Sequence, residues 1–207
     1  MKQLLLAALL AAGCNERPPR VSLDAVREAP PASRYFDEVK RWTRHGHLLA
    51  DFDETLTVDA TLHSPEFRAA YTEKWIAVYL LNADESARMR AQLNGQIADV
   101  WELHVETAAH VFEIADLSSK KSVWRLTLLD DQGRAVQPLS IEPVKQRTET
   151  NSAFYPYANL FSRPWTIKFP RNLADGTPLV NPATRWLTFR LAGPQGFVDL
   201  VWLLKAD

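Results

Sequence analysis

Leu48-Leu49-Ala50-Asp51-Phe52-Asp53-Glu54-Thr55-Leu56-Thr57-Val58-Asp59-Ala60-Thr61-Leu62 is the stretch that decides the fold of this 207-residue chain. Its even positions are Leu48, Ala50, Phe52, Glu54, Leu56, Val58, Ala60 and Leu62. Its odd positions are Leu49, Asp51, Asp53, Thr55, Thr57, Asp59 and Thr61. Successive side chains of an extended chain point to opposite faces, so this period of two marks a half-buried strand or a strand pair. Over such a length a β-bulge is expected near Asp53-Glu54.

The same period returns downstream. Trp101, Leu103 and Val105 alternate with Glu102, His104 and Glu106, and Trp165, Ile167 and Phe169 with Thr166 and Lys168. Further strands are predicted over Ser122 to Leu129, Ala135 to Ile141, Arg185 to Leu191 and Phe197 to Leu204. Asp130-Asp131-Gln132-Gly133 and Gly193-Pro194-Gln195-Gly196 supply the turns. About seven hairpin-linked strands predict a mainly β, α+β domain built as an antiparallel β-sandwich. Period 3.6 appears in two places. Behind Ser33, Tyr35, Val39 and Trp42 form one helical stripe, with Gly46 as its expected end. Ser64-Pro65-Glu66 has a cap, a proline at the first helical position and an acid in the first turn. It opens a helix with Phe67, Tyr71, Trp75 and Val78 on one side. Asn82-Ala83-Asp84 breaks that helix, and a second runs from Glu85 to about Leu93, stopped near Gly95, so a helical hairpin over about 65–95 is inserted between strands.

The N-terminus has a different logic. Lys2, the apolar run Leu4 to Leu10 and the small residues Ala11-Ala12-Gly13 lead to Cys14, the single cysteine. A positive charge, a short apolar core and small residues before a cut form the secretory pattern, and the run is too short to span a bilayer. Ala11-Ala12-Gly13-Cys14 resembles a bacterial lipobox, with Ala11 where Leu is usual. The resemblance implies a signal peptide at 1–13, acylation of Cys14 and an envelope address. An Asp after the acylated cysteine is the familiar inner-membrane retention signal, so Asn15 implies the outer membrane, facing the periplasm. Residues 14–32 then form the acylated cysteine and a flexible tether, with Pro18, Pro19, Pro30 and Pro31, reaching on the order of 20–50 Å. Residues 33–207 form a single globular domain.

Composition limits the chemistry. Hydrophobic residues are 46% of the chain, with seven Trp and nine Phe, enough for a substantial core. A formal net charge of −1 gives no reason to expect nucleic acid. With Cys14 acylated no thiol remains, which excludes disulfides, cysteine-bound metal and thiol catalysis. No G-x-S-x-G, P-loop or G-x-G-x-x-G is present, and seven Gly leave little room for phosphate cradles. No cofactor is expected.

Leu48-Leu49-Ala50-Asp51-Phe52-Asp53-Glu54-Thr55 resembles the first motif of haloacid-dehalogenase-type phosphatases, an apolar strand followed by D-x-D-x-T. The resemblance implies Asp51 as nucleophile and Asp53 as acid/base, with Mg²⁺ neutralising charge. That family's strand is parallel, buried on both faces and uniformly apolar, and its chain alternates strands and helices. Here alternation runs through the motif, both acids fall on its polar face, and the last hundred residues read as strands. His45 and His47 share a strand face, and His104 or His110 with Glu102 or Asp51 would complete a zinc site, but no spacing is diagnostic. Glu102 and Glu106 are a candidate carboxylate pair, but alternating acids on a strand are the expected solvent face. Phe154-Tyr155-Pro156-Tyr157 through Phe161 to Trp165 is the best candidate contact surface, since rings with polar tips suit interfaces and sugar stacking. Its alternative is a lid folded back on the core.

Trp42-Thr43-Arg44, Ser64-Pro65-Glu66-Phe67-Arg68, Trp124-Arg125-Leu126, Asp131-Gln132-Gly133 and Phe154-Tyr155-Pro156-Tyr157 are similar to landmarks of a family of uncharacterised bacterial envelope lipoproteins. That likeness implies no activity. The function expected from sequence is a lipid-anchored, non-enzymatic binding or assembly module of the cell envelope. Its partners are the membrane, through the anchor, and an envelope protein or glycan.

Overall fold

The alternating stretch folds back on itself. The computed structural model describes residues 18–26, 28–50, 53–95, 100–111, 113–118, 122–144 and 149–205. Strand β1 (Thr43–Ala50) pairs antiparallel with β2 (Asp53–Leu62). Leu48 stands opposite Leu56 and Leu49 opposite Glu54, which leaves Thr55 as the extra residue of a bulge next to the place expected. Leu48, Leu56, Val58, Ala60 and Leu62 are all buried, so one apolar face continues through the reversal of the chain.

Seven further strands complete two sheets: β3 (Val100–Ala108), β4 (Arg125–Asp130), β5 (Ala135–Val136), β6 (Ser140–Pro143), β7 (Arg163–Pro170), β8 (Trp186–Gly193) and β9 (Gly196–Leu203). The larger sheet runs β1-β2-β3-β7-β6 and the smaller β5-β4-β8-β9. Every strand pairing is antiparallel. The fold is therefore a mainly β sandwich with helices, as the alternation implies. The two additional strands come from two divisions: the Leu48 to Leu62 stretch folds into β1 and β2, and Ala135 to Ile141, which reads as one strand, divides into β5 and β6. Pro138 cannot donate to a ladder, and Gln137-Pro138-Leu139 carries the chain from β5 in the smaller sheet to β6 in the larger.

The sheets close on one core. Phe169 of β7 and Phe189 of β8 meet edge to face, ring centroids 5.9 Å apart. Trp202 is fully buried and its indole N–H donates to the Trp42 carbonyl at 2.8 Å. Trp124 is also buried, its indole donating to the Ile114 carbonyl at 2.7 Å.

Among the described residues four α-helices accompany the sheets: α1 (Tyr35–Trp42), α2 (Pro65–Tyr79), α3 (Ala83–Gly95) and α4 (Glu149–Phe154). The Tyr35, Val39, Trp42 stripe of α1 is buried. The helix stops at Trp42, before the expected Gly46, because Thr43 already belongs to β1 and its hydroxyl pairs with that of Thr61 at 2.7 Å. Gly46 serves packing instead. A Cβ there would lie 2.5 Å from Val198 Cγ1 and 2.8 Å from Leu200 Cδ2, so its bare backbone lets β1 approach β9. The hairpin α2–α3 sits between β2 and β3 as expected. Ser64 Oγ accepts from the Phe67 amide at 3.0 Å. Asn82 and Glu85 cap α3 reciprocally, each side chain accepting from the other's amide at 3.0 Å.

The two ends of the sandwich differ. The β1–β2 and β8–β9 hairpins share one end, where a Cβ on Gly196 would come 3.0 Å from Leu48 Cδ1. Leu49 and Phe197 are exposed there, and Phe161, just before β7, joins them. At the other end Val21 is buried and bridges in parallel to Leu204. Its amide donates to the Leu203 carbonyl at 2.8 Å, and the Lys205 amide donates back at 2.9 Å. The domain thus takes up part of the stretch that reads as a tether. Cys14 and the leader lie outside the described residues.

Candidate functional site

Strand β3 carries the site on its outward face. Glu102, His104 and Glu106 point away from the sandwich core, and sequence alone places them in solvent. The structure corrects this: Glu106 is 1% exposed, His104 is buried and Glu102 is largely covered. Cover comes from α2 on one side and from α4 with the aromatic segment after it on the other. The rings of Tyr35, Phe67, Tyr71, Trp75 and Phe154 form a second apolar cluster over this face, with Tyr71 and Phe154 at 4.8 Å.

The same cover decides the fate of the predicted contact surface. Phe154 and Tyr155 are buried, not presented to a partner, and the Tyr155 ring stacks on His104 at 3.7 Å and 9°. Tyr157 is half-buried and its hydroxyl meets Thr61 Oγ1 at 2.5 Å. Phe161 alone of the four stands out, 85% exposed. This segment is the lid that a buried β face requires.

Two polar chains run under the lid. In the first, His63 joins Tyr155 to Glu102: its Nδ1 lies 2.9 Å from Glu102 Oε1 and its Nε2 2.9 Å from the Tyr155 hydroxyl. A carboxylate only accepts, so Nδ1 carries the proton and donates to Glu102, while Nε2 accepts from the tyrosine. Arg68, 6% exposed, donates from Nε to the His63 carbonyl at 3.1 Å. Its Nη2 stands 3.5 Å from Glu102 Oε2. In the second chain Glu106 accepts from His104 Nε2 at 3.2 Å, from Asn151 Nδ2 at 3.2 Å and from the Ser162 hydroxyl at 2.6 Å. Glu106 thus pins both ends of the arch formed by residues 151–162.

Charge states follow from these partners. Burial works to raise the Glu102 pKa, but the hydrogen bond from His63, the charge that ring gains in acid, and the Arg68 and Lys168 cations outweigh it and hold the carboxyl at about 2. Burial lowers the His63 pKa, against the pull of Glu102, so the ring is neutral near pH 7. Burial also drives the Tyr155 hydroxyl well above its ordinary range, which keeps it a donor. Between α2 and β3 these groups border a cavity of about 270 Å³, with Phe67 and Tyr71 as an aromatic wall and Thr166 on the sheet side.

The other predicted residues are not gathered here. Asp51 lies outside the described residues, and Asp53 is the first residue of β2, opposite Ala50 in an antiparallel hairpin. His45 pairs with Asp59 at 2.5 Å, away from His104. Among the described residues no group of three or more His, Cys, Asp or Glu is placed to hold a metal ion. Sequence reasoning missed His63, Arg68, Asn151 and Ser162. His63 and Arg68 flank the Ser64 cap, so the turn that starts α2 is also what aims them at β3.

No known family model and no curated protein matches this chain. One solved structure is similar, a protein of unknown function from Burkholderia pseudomallei K96243, at 10% identity, with a TM-score of 0.39, over 81% of this chain and 80% of that one.

Proposed function

We propose that this protein is a lipid-anchored lipoprotein of the bacterial cell envelope, held by Cys14 at the outer membrane and facing the periplasm, and that its sandwich is a binding module and not an enzyme. The observation that carries the binding reading is the wired cavity between α2 and β3. His63 has both ring nitrogens engaged, Glu102 is held ionised, and Tyr155 is held as a donor. Groups locked in this way present a fixed pattern of donors and acceptors, which suits recognition; a general base needs a free lone pair facing its substrate. The leader with its single Cys14 supports the anchor. The phosphatase reading of Asp51 and Asp53 calls for a parallel strand ending at the first acid, and the antiparallel β1–β2 hairpin gives it no such support.

Two measurements test the proposal. Cys14→Ser should release the protein from membranes, since durable attachment takes more than one acyl chain and the variant would carry none; retention at high salt refutes the anchor. With Mg²⁺ present the protein should not hydrolyse an aryl phosphate. Turnover that disappears in Asp51→Asn or Asp53→Asn makes it a phosphatase.

A further inference from the structure

We infer that the cavity between α2 and β3 takes a neutral polyhydroxylated ligand, a sugar ring of a glycan, gripped by Arg68, Glu102 and Thr166 against the ring of Tyr71. This rests on the binding-module reading and names its ligand. The charges lining the cavity are balanced: the Arg68 guanidinium faces the Glu102 carboxylate. An anion drawn to Arg68 meets the Glu102 carboxylate, and a cation drawn to Glu102 meets Arg68. Either ion loses its hydration for attractions and repulsions that largely cancel. A wholly apolar ligand would strip water from Glu102, Arg68 and Thr166 and offer no hydrogen bond in return.

What fits is a ligand with hydroxyls on its rim and carbon on its face. The 3.5 Å between Arg68 Nη2 and Glu102 Oε2 is too long for a strong hydrogen bond, so a hydroxyl can accept from the guanidinium and donate to the carboxylate. Thr166 stands opposite His104 on the neighbouring strand and offers a hydroxyl on the cavity side. Tyr71, half-buried, gives an apolar wall for the C–H face of the sugar and is backed by the fully buried Phe67 ring 6.3 Å away. His63 and Tyr155 fix the Glu102 orientation before the ligand arrives, so little ordering remains to be done on binding.

The test uses the full chain in a zwitterionic detergent without a sugar headgroup. Probes are glucose, galactose, mannose, N-acetylglucosamine, cellobiose and diacetylchitobiose, against acetate, phosphate, methylamine and glycine. Readouts are saturation-transfer NMR and the melting temperature. At least one neutral sugar should bind saturably and raise the melting temperature. Thr166→Val, which keeps the shape, and Glu102→Gln should each weaken it tenfold or more. Thr166→Val carries the test if Glu102→Gln folds poorly. Preferential binding of an ion or of glycine overturns the sugar assignment but leaves a binding module. Equal sugar affinity in wild type and Thr166→Val, or no sugar binding at 100 mM, also overturns it. Phosphatase turnover removes the module reading itself.

Discussion

Replacing Glu102 by Gln tests the wiring of the site through its pH dependence. In the folded protein the Glu102 carboxyl is held at about 2, against an ordinary value of 4.5. Each pKa unit is worth about 1.4 kcal/mol, so the ionised carboxylate contributes roughly 3 kcal/mol at neutral pH. A depressed carboxyl stabilises above its unfolded pKa and loses that contribution as the pH falls through its folded pKa, here between about 4.5 and 2. By the same relation about half of it should remain at pH 3. Glu102→Gln removes the ionisation while keeping the size, and it also leaves the buried Arg68 cation short of its counter-charge. In urea unfolding the variant should therefore be about 3 kcal/mol less stable than wild type at pH 7, and the two curves should converge as the pH falls from 4.5 to 2. His63 acts in the same direction at higher pH: its lowered pKa makes stability full above about 6.5 and falling below it. A gap under 1 kcal/mol at pH 7, or one that stays constant between pH 5 and pH 3, would refute the account of Glu102.

Two further changes probe the packing. Gly46→Ala would push a methyl into Val198 and Leu200 at 2.5 and 2.8 Å and should cost about 1–3 kcal/mol of unfolding free energy; a neutral result would mean that β1 and β9 can separate freely. Trp202→Ala empties a fully buried site and removes the hydrogen bond to the Trp42 carbonyl. It should cost about 3–5 kcal/mol in urea unfolding, and a loss below about 1 kcal/mol would contradict its place in the core.

The inner faces of both sheets were legible because alternation there is a direct record of burial. Leu56, Val58, Ala60 and Leu62, and Trp101, Leu103 and Val105, all point into the core. The outer face of β3 was not legible for the same reason: Glu102, His104 and Glu106 carry the composition of a solvated face. What covers them is the lid from residues 151–162, fifty positions away, and no local period encodes such a contact. Their polarity is kept because each finds a partner, His63 and Arg68 for Glu102, Asn151 and Ser162 for Glu106. The sheet change at Pro138 was partly legible, since proline interrupts a ladder, but its effect depends on a second sheet lying within reach. Lipid anchoring remains a reading of residues 1–14, and its test is the Cys14→Ser fractionation.

The Val21 bridge turns the N-terminal segment into a short leash with a definite bearing. Six residues lie between Cys14 and Val21, and the seven Cα–Cα steps of at most about 3.6 Å each extend no further than about 25 Å. Strand β7, Arg163–Pro170, alone spans about 27 Å at 3.4 Å per residue. On the proposed Cys14 anchor such a leash would let the domain lean and swivel over the bilayer with the Val21 end nearest the lipid, and would carry Leu49, Phe161 and Phe197, exposed at the hairpin end, outward from the membrane surface.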